Sequence, residues 1–203
     1  MLLKIEGARR QLGTALALYL QDHDPVAVHC LAGGGCEVID FFAKKAGKEP
    51  FVTHILNENP HMDIAKVRRL QRQYWTAFKH ATRKVGKNQE VERDDEELLA
   101  DFSDEQNDTA LFIGWVDYAR ATQTMPIEAQ VHQAWYFAKY PSKLNPKHSP
   151  KPYAELFPQI NAISRSEQKR ELREKIEWAR SDADVMNDPR TDRRPLILPW
   201  PPL

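Results

Sequence analysis

An all-α fold, a single-domain helical bundle with a charged C-terminal helix and an extended proline-rich tail, is the architecture this sequence predicts. Three observations predict it. Apolar residues recur in steps of three and four through most of the chain, the mark of one face of an α-helix. Asp-Pro, Asn-Pro and Ser-x-x-Glu signals stand where those runs begin. No stretch alternates apolar and polar residues as a half-buried strand would. With 203 residues, 41% of them apolar, the chain can fill one sizeable core and is short for two.

The first helix is expected over Lys4 to Gln21, where Ile5, Ala8, Leu12, Ala15, Leu16 and Tyr19 share a face. Asp24 then reads as an N-cap with Pro25 at the first helical position. The helix it opens should run to about Ala46 and stop at Gly47. Asn59-Pro60 repeats the signal for a third helix carrying Val67, Leu70, Tyr74, Ala77, Phe78 and Ala81. Residues 83–97 are very polar, and Gly86 and Asn88 mark them as a loop. Asp94 with Glu97 resembles a capping pair. A break at Ser103 to Asp108 precedes a helix around Ala110 to Ala121, and another is expected from Pro126 to Tyr140. Three prolines make Lys143 to Pro152 a linker. A short helical piece follows near Tyr153 to Ile163. Ser164 and Glu167 then form a capping box that opens a charged helix to about Asp182, and Pro195 to Leu203 reads as an extended tail. Residues 1–142 should thus make the bundle core, with 143–203 packed upon it.

Composition narrows the function. Lys plus Arg equals Asp plus Glu at 29 each, so no net field recruits nucleic acid, which is not favoured as a partner, or an anionic membrane. Charged residues follow Met1, Leu2 and Leu3 closely, so no signal-peptide core is expected. No apolar run is read as membrane-spanning, and a cytoplasmic location is expected. Cys30 and Cys36 point in different directions on a helix, cannot bridge, and read as small core residues.

Few residues suggest chemistry. Gly33-Gly34-Gly35 in the second helix costs a helix interior roughly 2 to 3 kcal/mol relative to alanine. Close approach of a neighbouring helix or a local helix bend explains the glycines best, and a backbone-lined ligand site is the alternative use, with His29 beside it. The segment lacks the Lys-Ser or Lys-Thr continuation of a phosphate-binding loop. None of the seven histidines stands in a metal-binding spacing, so no metal or other cofactor is expected. His80 flanks the apolar face of the third helix beside Lys79. The acidic stretch from Glu90 to Asp108 and the basic start of the late helix (Arg165, Lys169, Arg170, Arg173) should attract one another, within a chain or across a dimer. As exposed pairs they would add below about 1 kcal/mol each. The PxxP spacing of Pro199 to Pro202 allows a polyproline II ligand, but Leu196, Ile197 and Leu198 favour packing.

Two segments, Asp24-Pro25-Val26-Ala27-Val28-His29-Cys30-Leu31-Ala32-Gly33 and Phe78-Lys79-His80-Ala81, resemble a family of uncharacterised bacterial helical proteins. Their order, the opening helix and the overall length extend the resemblance over most of the first 140 residues. Members with an Arg-Asn pair just before the Phe-Lys-His segment look like HEPN proteins, a helical superfamily that includes ribonucleases. Active members separate an arginine from a histidine by four to six residues. The corresponding places before His80 hold Gln73, Tyr74 and Trp75, with Arg72 one place too far. The resemblance implies a HEPN-like bundle whose catalytic motif is not intact.

Two functions follow. The first is a non-catalytic helical binding or interaction module, a homodimer that takes a protein or small ligand near His29, Gly33, Gly34 and Gly35. The alternative is a metal-independent HEPN-like ribonuclease, with His80 as general acid or base and Arg72 or Lys79 steadying phosphate charge.

Overall fold

The structure, a computed structural model, describes residues 3–58, 61–86 and 89–199. Among these it contains ten α-helices and four short strands, so the chain is mostly helical, as the periodicity predicts. The Asn59-Pro60 signal, Asn88 and the residues from Trp200 onward lie outside the described residues.

Helices α1 (Leu3–Leu20) and α2 (Pro25–Lys45) form an antiparallel pair. Asp24 caps α2 by accepting from the Ala27 amide at 2.7 Å, and Gly47 ends the segment at φ +73°. Contrary to the sequence reading, α2 is long and apolar enough to cross a membrane by length and composition. In this fold its Val28, Ala32 and Ile39 are buried in the common core. A short helix α3 (Phe51–Glu58) follows where no element was expected.

Helix α4 (Ile64–Lys79) starts from Asp63, whose carboxylate accepts from the Lys66 amide. Beyond it, the expected loop contains an antiparallel hairpin, β1 (Thr82–Val85) with β2 (Gln89–Glu92). Nearly every residue of the hairpin is exposed. Neither face is buried, so no apolar alternation betrays it. Asp94 and Glu97 do not cap the next helix, α5 (Glu96–Ala100). Its N-cap is Asp95, which makes no capping bond and instead receives both Nε and Nη2 of Arg93.

Helix α6 (Gln106–Thr122) packs along α2. Strand β3 (Met125–Pro126) leads into α7 (Ile127–Lys139) and pairs in parallel with β4 (Thr191–Asp192) near the other end of the chain. Two residues per strand are too few to leave a pattern in the sequence. After the proline-rich turn come α8 (Lys151–Leu156), shorter than expected, α9 (Arg165–Ser181) and α10 (Ala183–Asn187). The Ser164–Glu167 capping box at the start of α9 is fully formed.

One buried cluster joins α1, α2, α6, α7 and α9, from Ala8 to Leu196. Leu12 of α1 fills the slot between Gly35 and Gly114. A Cβ at either glycine would meet that leucine at 2.7 or 2.5 Å. The segment after β4 lies against α1: a Cβ on Gly13 would stand 2.2 Å from the Leu196 carbonyl.

Candidate functional site

Helix α2 presents Gly33 to α4 so closely that a Cβ would lie 2.4 Å from the Trp75 indole. This close approach is what the glycine run allows. Its neighbours turn elsewhere, Gly34 towards Gln11 and Gly35 onto Leu12. Beside the Gly33–Trp75 contact is a cavity of about 40 Å³ between α2, α4 and α6. It has room for about three water-sized groups.

Its wall mixes charge with apolar surface. From α2 come His29, Cys36 and Asp40; from α4, Arg68, Gln71 and Arg72; from α6, Asp117. Arg68 pairs with Asp40 at 2.8 Å, and Arg72 approaches Glu37 and Asp40 at 3.6 and 3.7 Å. Asp117 accepts from the Phe51 amide at 2.7 Å and from Arg120 at 3.2 Å, yet burial still raises its pKa to about 6. The Cys36 thiol donates to the Ala110 carbonyl, and burial pushes its pKa up to about 12. It therefore remains a thiol at neutral pH and is not a nucleophile.

His29 is buried, and Asn107 fixes its tautomer. The Asn107 amide donates to the Pro25 carbonyl at 3.0 Å, which turns its oxygen to His29 Nδ1 at 2.9 Å. Nδ1 carries the proton, and burial lowers the histidine pKa. Two donors on the cavity-lining residues have no partner. Arg68 Nε and Gln71 Nε2 are buried without any hydrogen bond among the described residues. Each such group costs roughly 1 to 3 kcal/mol unless an acceptor reaches it.

The sequence-predicted residues thus divide. His29, Gly33 and Arg72 meet at this cavity. His80 does not: it is the exposed C-cap of α4. Lys79 is exposed too, and its ammonium lies 4.2 Å from the centre of the Trp75 ring.

A second polar centre lies deeper. Asp108, fully buried, accepts from Tyr19 at 2.7 Å, Tyr140 at 2.8 Å, Lys139 at 3.0 Å and Arg165 at 2.5 Å. Arg165 and Lys169 also hold Asp104 at 2.7 and 2.8 Å. Burial alone would raise the Asp104 pKa, but these two cations lower it. The acidic and basic segments do attract one another within the chain, and the pairs around Asp108 and Lys169 are buried rather than surface pairs.

His132 of α7 adjoins this centre, with its ring 5.6 Å from Tyr19 and 5.5 Å from Trp135. Neither ring nitrogen has a partner among the described residues, and burial lowers its pKa to about 4. As pH falls from 6.5 towards 4, the unfolded chain takes up a proton that the native histidine refuses. Native stability is therefore lost on acidification. His132→Leu should flatten that dependence by up to about 1.4 kcal/mol per pH unit in this window. Urea midpoints at pH 4.5 and 6.5 measure it, and an unchanged difference would refute it.

Sequence reasoning missed Asp40, Arg68, Gln71, Asp108, Asp117 and His132. The usable signal was a polar residue between apolar ones on a helix, as in Ile39-Asp40-Phe41 and Val116-Asp117-Tyr118. Comparison with known protein families, characterised proteins and solved structures gives no significant match.

Proposed function

We propose that this protein is a non-catalytic helical binding module, a homodimer that holds a small polar ligand in the cavity between α2, α4 and α6. The unpartnered donors Arg68 Nε and Gln71 Nε2 carry this reading, because a ligand with two acceptor oxygens satisfies both. The buried, un-ionised thiol of Cys36 and the hydrogen-bonded His29 supply no activated nucleophile. Phe41, Trp178 and Ile197, each about 60% exposed, supply apolar surface for self-association. The finer architecture, one domain closed by the charged helix and the proline-rich tail, belongs to this reading, as does a cytoplasmic location.

The HEPN-like ribonuclease reading has less support. Arg72 is engaged by Glu37 and Asp40, while His80 stands exposed about two turns further along α4.

The test is native mass spectrometry with thermal unfolding in acetate, formate and bicarbonate. A dimer is expected, with at least one of these anions raising the melting temperature. The Arg68→Met, Gln71→Leu double variant should fold and lose that response. A monomer would refute the dimer. No stabilisation by any of the three, or the same response in the variant, would refute the ligand site.

A further inference from the structure

A second recess lies between α3, α6, α7 and the proline-rich turn. It comprises two adjoining hollows of about 340 and 300 Å³ that share Phe51, His54, Lys143, Leu144 and Asn145. Each is at the lower end of the size range of small-molecule sites. Aromatic rings form part of both walls, and Tyr136 of the first hollow is stacked on Phe112 of the second, 4.1 Å between ring centres. Phe51 lines both, edge-on to Phe112 at 5.3 Å.

The charge is one-sided. No aspartate or glutamate lines either hollow, whereas His54, Lys143, Arg120 and His148 do. Arg120 is held by Asp117 at 3.2 Å and lies 5.6 Å from the Phe51 ring. Lys143 and His148 are exposed, and neither side chain has an ion-pair partner among the described residues. In a chain with equal numbers of acidic and basic side chains, a recess lined by Lys143 and Arg120 and by no carboxylate is a local bias. Polar groups for orientation are also present: Thr109 Oγ1 and Tyr136 Oη lie 3.3 Å apart in the wall of the first hollow.

Aromatic walls hold a planar ring by stacking, and a lysine at the rim holds an anion. We infer that this recess binds a nucleoside monophosphate, its base among Phe51, Leu144 and Tyr136 and its phosphate at Lys143. Lys143 lines both hollows, so it can meet the phosphate of a nucleotide whose base occupies either one. A nucleic-acid strand is not the occupant argued for, since the balanced charge offers no track for a polymer backbone.

Isothermal titration of the full chain at low salt tests this, using the monophosphates of adenosine, guanosine, cytidine and uridine, with adenosine and inorganic phosphate as separate probes. At least one monophosphate should bind saturably. Adenosine and phosphate alone should each bind at least tenfold more weakly than that monophosphate. Lys143→Glu should weaken its binding at least tenfold and leave the melting temperature unchanged, because Lys143 is exposed. The Arg68→Met, Gln71→Leu variant should bind it normally, which separates this recess from the α2–α4–α6 cavity. Four silent titrations would overturn the assignment. So would binding that Lys143→Glu does not touch, or inorganic phosphate that binds as well as the nucleotide.

Discussion

Asp108→Ala should destabilise the protein by about 3 to 5 kcal/mol, the usual cost of removing one partner from a buried ion pair. Its carboxylate accepts from four side chains, and the alanine leaves Lys139 and Arg165 without their innermost anion. It also strips the acceptor from Tyr19 and Tyr140, whose hydroxyls are held un-ionised by burial and by Asp108 itself. With total stabilities of about 5 to 15 kcal/mol for ordinary domains, that is a large fraction of the whole. Urea unfolding followed by far-UV circular dichroism reads it directly. Replacing Asp108 by Leu together with Lys139→Met and Arg165→Met should recover part of the loss, because charges and counter-charge leave the interior together. A loss below about 1 kcal/mol for Asp108→Ala would show that the cluster contributes no more than a surface pair.

Arg9→Met should release the last described segment of the chain. Arg9 is fully buried. Its Nε donates to Asp192 at 3.0 Å, and its two terminal nitrogens reach the carbonyls of Leu196 and Pro195, each at 3.0 Å. Burial alone would raise the Asp192 pKa, yet hydrogen bonds from Arg194 and Arg9 bring it down to about 2. A methionine of similar reach fills the space and donates nothing. The expected cost is about 3 kcal/mol, with faster proteolytic cleavage beyond Asp188. Arg9→Lys should rescue only part of this, since one ammonium cannot reproduce the guanidinium fork. Cleavage at the wild-type rate in Arg9→Met would show that the segment is held by its apolar side chains alone.

What the sequence revealed was local. The Asp24-Pro25 start, the Ser164–Glu167 box and the stop at Gly47 involve residues a few places apart, and each is formed in the structure. The three glycines were readable as a close approach or a helix bend, and at Gly33 the close approach is what the structure has. The partner of that approach, Trp75, was not. Periodicity assigns a residue to a face but does not say which helix covers that face. For the same reason Arg9 looked like one more charge near the start of the chain, and Asp108 like a residue in a solvated break. Their partners stand 183 and 57 residues further on, at Asp192 and Arg165. The hairpin of β1 and β2 escaped because exposed polar strands resemble loops in composition. The candidate cavity was half visible, with His29, Gly33 and Arg72 in view, while the donors that set its chemistry sit on the polar-looking side of α4.

The bond between Arg9 and Asp192 has a consequence for the order of events during synthesis. Chains emerge from the ribosome beginning at the N-terminus, and a helix made early ordinarily packs with whatever follows it. Here α1 carries a guanidinium that is fully buried in the finished fold, and its counter-ion is made 183 residues later. Until Asp192 clears the exit tunnel, α1 and α2 can pair, but that face of α1 remains open to water. Closure of that face therefore awaits the synthesis of Asp192. A nascent chain stalled before residue 190 should stay sensitive to protease along α1, while one released after residue 199 should not.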